Sequence, residues 1–89
     1  MAVPDFQTLM LPVLQVFADS AEHMSREVRD RVAEVMDLTE TDLEELLPSG
    51  TQPAFHNRVH WALWYLQKCG LTQRPRRGVH RITDRGRQV

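Results

Sequence analysis

At 89 residues the chain has room for one domain with a modest core, and too little for a deep catalytic cleft. Hydrophobic residues make up 42% and charged residues 26%, an ordinary globular balance, and no apolar run approaches the roughly 20 residues of a membrane span. The net charge of −1 conceals a division: residues 1–45 carry eleven acids against three arginines, net −8, while residues 46–89 carry Asp84 against eight bases, net +7. A polyanion responds to the local field and not to the sum, so the division points to nucleic acid as a partner, against the alternative of a solvated basic tail.

Met1-Ala2-Val3-Pro4-Asp5 has no basic region ahead of an apolar stretch, and no signal peptide is expected. Phe6, Leu9, Met10, Val13, Leu14 and Phe17 recur at helical spacing and predict a first helix that ends at Asp19-Ser20. Pro12 falls off that stripe and loosens the helix by removing its bond to residue 8. A second helix is expected from Ser25 as N-cap, with Glu27 in its first turn and Val28, Val32 and Val35 on its buried face. Thr41-Asp42-Leu43-Glu44 reads as a capping box opening a short helix through Leu46 and Leu47, stopped by Pro48-Ser49-Gly50.

Thr51-Gln52-Pro53 opens a third long helix, which runs to Cys69 and is closed by Gly70. Phe55, Val59, Ala62, Leu63 and Leu66 line its inner face. At 1.5 Å per residue it is about 25 Å long, enough to lie along a major groove. Leu71-Thr72-Gln73 and Val79-His80-Arg81-Ile82-Thr83 then alternate as short strands around the turn Arg74-Pro75-Arg76-Arg77-Gly78. The expected fold is mainly α with a small β-hairpin: a winged helix-turn-helix of three main helices, one short helix and a two-stranded wing, one domain over residues 1–89. Its core should join Phe6, Val13, Phe17, Val32, Val59 and Leu66.

A helix-turn-helix places its second helix in the major groove, and a following hairpin extends the footprint along the phosphates. The candidate DNA-binding residues are therefore Ser49 and Gln52 before the third helix; His56, Asn57, His60, Trp64 and Lys68 on that helix; and Arg74, Arg76, Arg77, His80 and Arg81 on the hairpin. Asn57 has the chemistry to bond an adenine edge, or is simply a solvated polar residue; Lys68 and the arginines suit phosphate. Trp64 is open to three readings: a groove contact, a subunit contact, or a surface covered by a further domain. Trp61 is expected to pack under the Leu46-Leu47 segment. Arg58, at the edge of the inner face, is expected to bond an acid of the first half and orient the third helix, with a flanking phosphate as the alternative.

His56 and His60 stand at a metal-binding spacing, but no Cys, Asp or Glu of the same helix completes a set, so no metal is expected. Asp84 lacks a partner for acid–base chemistry, and neither a catalytic site nor a cofactor is expected. The lone Cys69 cannot close an internal disulfide; it reads as a packed small hydrophobe in a reducing, cytoplasmic setting.

Further segments carry a resemblance: Val3-Pro4 with Pro12-Val13-Leu14, Ser49-Gly50, Asn57-Arg58-Val59-His60-Trp61-Ala62, Leu66, Gly70-Leu71, Arg77-Gly78 and Ile82-Thr83. In these, over nearly the whole chain, it resembles the N-terminal domain of Mrr-type restriction endonucleases. The resemblance implies a winged helix that recognises DNA, a separate C-terminal domain that cuts with metal-bound Asp, Glu and Lys, and a setting in the restriction of methylated foreign DNA in bacteria. None of the cleavage residues can be carried onto this sequence. The expected function is a double-stranded DNA-binding module that targets a restriction endonuclease to methylated DNA. The expected partners are duplex DNA, the nuclease domain of the parent protein and a second copy in a homodimer, with no membrane. The alternative is a winged-helix protein-interaction module whose acidic half meets the partner.

Overall fold

The computed structural model describes residues 4–89; the readings made on Met1, Ala2 and Val3 lie outside the described residues. Asp5 caps helix α1 (Phe6–Val16), its carboxylate accepting from the Thr8 N–H at 2.8 Å. That bond holds the Asp5 carboxyl below its usual range. Leu9, Val13 and Leu14 form the buried stripe, with Pro12 inside the helix. The chain then tightens into a 3₁₀ turn over Phe17–Asp19, which Ser20 ends in the left-handed region at φ 64°. Phe17 is fully buried, so the apolar stripe outlasts the α-helix by one turn.

Strand β1 (His23–Met24) leads directly into helix α2 (Ser25–Val35). Ser25 is the first helical residue and not the cap; Met24 occupies that position without a side-chain bond. The Ser25 N–H instead donates to the Gly78 carbonyl at 3.0 Å, tying the start of α2 to the distant hairpin turn. Val28 and Val32 are buried, but Val35 is 69% exposed: the valine spacing runs one turn beyond the packing.

Helix α3 (Glu40–Glu44) has its capping box two residues earlier than expected, at Thr39 and Asp42. Thr39 Oγ1 accepts from the Asp42 N–H at 3.1 Å, and the Asp42 carboxylate accepts from the Thr39 N–H at 2.9 Å. Asp at the third position replaces the usual Glu or Gln, which hid the box. Leu46 lies beyond the helix, in an isolated bridge with Pro53. Helix α4 (Ala54–Lys68) buries Ala54, Phe55, Val59, Ala62, Leu63 and Leu66, and Gly70 closes it at φ 77°.

Strands β2 (Thr72–Arg76) and β3 (Val79–Ile82) form the expected hairpin, but β1 pairs with the free edge of β3. The result is a three-stranded antiparallel sheet in the order β1-β3-β2, with His23 opposite His80 and Thr72 opposite Ile82. The expected two-stranded wing is thus widened by a strand of two residues, too short to show alternation. Thr83 caps one further turn, α5 (Asp84–Arg87), also unexpected. α1 packs chiefly against α4, and one hydrophobic cluster joins α1, α2, α4 and β3. Val13, Phe17, Val32, Val59 and Leu66 belong to it as expected; Phe6 packs at its margin, stacked on Tyr65 with ring centroids 4.8 Å apart. Five α-helices among the described residues, with this small sheet, are consistent with a winged layout. Among the described residues no helix is long and apolar enough to cross a membrane.

Candidate nucleic-acid interface

The start of α2, one flank of α4 and the hairpin converge on an open groove of about 270 Å³. The Ser25–Gly78 backbone bond holds its two walls together. The groove brings together six of the sequence-predicted residues: His56, His60, Trp64, Arg74, Arg77 and His80. It adds three the sequence reading missed: Ser25, Arg29 and Gln67. Gln67 lies one turn beyond Trp64 and two beyond His60, so a helical wheel held the signal. Arg29 gave none, since it sits in the acidic half and reaches the groove only through the tertiary fold. Among the described residues no carboxylate lines this groove, in a chain with twelve acids.

Burial pushes the His80 imidazole down from its usual range, with the charges of Arg74 and His60 adding to it. Burial likewise lowers His56, helped by Arg29. Both shifts favour the neutral ring, and the cationic character of the groove rests chiefly on its arginines. His80 is only 7% exposed, and its Nδ1 has no hydrogen-bond partner among the described residues. It lies edge-on to Phe17, with centroids 6.5 Å apart.

The remaining candidates lie outside the groove. Ser49 and Gln52 are exposed in the α3–α4 loop, where the Ser49 hydroxyl bonds that of Thr51 at 2.9 Å. Asn57 is half-buried. Lys68 places its ammonium 5.5 Å from the Trp64 ring centroid, within cation–π range. Arg76, a candidate phosphate contact, is already paired with Glu22, just before β1, at 3.1 Å. Arg81 faces the Gln73 amide on β2, whose oxygen, turned toward it, accepts from Nε at 2.7 Å.

Other readings are corrected. Trp61 does not pack under the Leu46-Leu47 segment but is 41% exposed. With Trp64 and Tyr65 it forms an aromatic face on α4, with Trp61–Trp64 centroids 5.7 Å apart and Trp64–Tyr65 centroids 5.0 Å apart. Cys69 is exposed and not packed. Arg58 was expected to bond an acid of the first half; among the described residues it donates instead to the Pro4 carbonyl at 3.3 Å. Among the described residues no three His, Cys, Asp or Glu side chains gather as a metal set.

The chain matches the Mrr N-terminal domain family over residues 6–89. It is 31% identical over 87 residues to the type IV methyl-directed restriction enzyme EcoKMrr of Escherichia coli (strain K12), a match covering 97% of this chain and 28% of that enzyme. The chain thus spans less than a third of the length of that relative. No solved structure matches it. The family match takes in every element from α1 to α5, the hairpin and the groove included, and the chain belongs to the Mrr N-terminal domain family.

Proposed function

We propose that residues 1–89 form a single winged-helix domain that binds double-stranded DNA and directs a restriction endonuclease to methylated sites. In this reading α4 enters the major groove, the hairpin arginines lie on phosphates, and cleavage belongs to a nuclease domain of the parent protein. The domain itself is non-catalytic. The observation that carries the reading is the groove beside α4, lined by Arg29, Arg74 and Arg77 and, among the described residues, by no acid. Guanidinium forks match phosphate oxygens in geometry and charge. Membership of the Mrr N-terminal domain family supports the same conclusion.

A salt titration of duplex binding tests it. Four phosphate contacts, from the three groove arginines and Lys68, give a log–log slope of about −3.6 and roughly a hundredfold loss of affinity between 50 and 200 mM salt. Arg77→Ala should lower the slope by about 1 and weaken all duplexes alike. Arg76→Ala should do less, because Glu22 already competes for that side chain. A flat salt response would refute phosphate binding. A second reading, association through protein surfaces, is favoured by the exposed Trp61, Trp64 and Tyr65; it predicts self-association in sedimentation that Trp61→Ala abolishes.

A further inference from the structure

Arg31, Arg76 and Arg87 all have carboxylate partners on the surrounding surface. Arg29, Arg74 and Arg77 have no ion pair or side-chain hydrogen bond among the described residues, and these three share one groove. We propose that this groove seats the phosphate backbone of the bound duplex, with Arg29 of α2 holding one phosphate opposite those held by the hairpin arginines Arg74 and Arg77. The inference rests on the DNA-binding reading and adds to it an anchor from the acidic half of the chain.

Three further observations support the seat. The Ser25 N–H to Gly78 carbonyl bond fixes the hairpin turn against α2, so the spacing of Arg29 and Arg77 is set before DNA arrives. The Ser25 side chain also lines the groove and supplies a neutral donor. Gly78 itself has φ 77°, a left-handed conformation that glycine adopts without strain and that sets the path of the hairpin turn. A phosphate held here fixes the register of α4 along the duplex, as backbone contacts do in DNA complexes generally, while the base edges remain for His60, Trp64 and Asn57.

The test compares the native domain with Arg29→Gln, Arg29→Lys and Arg26→Gln, the last an exposed arginine of the same helix outside the groove. Affinity for unmodified duplexes of several sequences is measured across salt concentrations, with circular dichroism melting to confirm folding. Arg29→Gln should weaken every duplex roughly tenfold and lower the log–log slope by about 1. Arg29→Lys should recover the slope and part of the affinity, and Arg26→Gln should change neither. Native affinity and slope in folded Arg29→Gln would overturn the seat while leaving DNA binding intact. Failure of the native domain to bind any duplex would overturn both. If inorganic phosphate binds the groove of the native domain without displacing the duplex, the groove is a site for the free anion, and its assignment to the DNA backbone falls.

Discussion

His23 sits between two carboxylates: its Nδ1 donates to Glu27 at 2.8 Å and its Nε2 to Asp19 at 2.9 Å. A ring that donates from both nitrogens is an imidazolium. Burial alone would lower its pKa, but the hydrogen bonds and charges of Asp19 and Glu27 outweigh it, and the pKa is raised above 6.5. Its contribution to stability is therefore complete below pH 6.5 and is lost as pH rises through the folded value. His56 and His80, whose pKa values are lowered, act in the opposite sense: their contribution is present above pH 6.5 and lost as pH falls. The His23 component is isolated by comparing urea midpoints of native protein and His23→Gln from pH 5.5 to 8.5. The native advantage should shrink above pH 6.5, and identical pH profiles would rule the clamp out. Nothing in the sequence signalled this triad, because Asp19, His23 and Glu27 are spaced as on a helix while a turn and a strand intervene. Trp61 and Cys69 were misread for a related reason: periodicity locates the centre of a buried face, whereas its edges depend on which neighbours arrive to cover them.

At the scale of elements, legibility followed length. The five inward positions expected on α4 are all buried, because fifteen residues give the 3.6-residue period room to declare itself. Leu66, 2% exposed at the centre of the cluster, should cost on the order of 2–5 kcal/mol on truncation to Ala, whereas Val35→Ala at the exposed end of α2 should stay within about 0.5 kcal/mol. Denaturant unfolding of both variants checks the pair, and a small effect at Leu66 would contradict the packing of α4. The two-residue β1 and four-residue α5 were illegible, being shorter than the patterns that reveal strands and helices. α5 nevertheless makes a sharp demand. A Cβ on Gly86 would collide with the Leu71 carbonyl oxygen and come within 2.7 Å of Ile82 Cγ1, so α5 docks only with glycine there. Gly86→Ala should destabilise by about 1–3 kcal/mol or more, since the backbone must move to relieve the clash. A thermal midpoint equal to the native one would show that α5 does not pack as described.

For the molecule as a whole, the fold crosses the division of charge along the chain: it pairs Arg76 of the basic half with Glu22, and it carries Arg29 out of the acidic half and into the basic groove. A reading by sequence halves identifies the basic hairpin but cannot assemble a site whose walls are some fifty residues apart in the chain. The same assembly bears on methyl recognition. His60 and Trp64 both line the groove, and Trp64 remains 42% exposed, with Lys68 over its ring. If the groove arginines fix the phosphate backbone, these two rings stand where α4 meets the base edges. A methyl on cytosine C5 or adenine N6 projects into the major groove, where an aromatic surface can cover it. One methyl's worth of burial is about 0.8 kcal/mol, so the expected preference for a methylated duplex is roughly fourfold. The measurement is the ratio of affinities for methylated and unmethylated forms of one duplex, for the native domain, His60→Ala and Trp64→Ala. The ratio should fall toward one in at least one variant, while the salt slope, set by the arginines and Lys68, stays unchanged in His60→Ala. A native ratio near one would mean that this domain does not read the methyl group. A preference that survives both substitutions would move recognition to the Ser49–Gln52 loop or the hairpin.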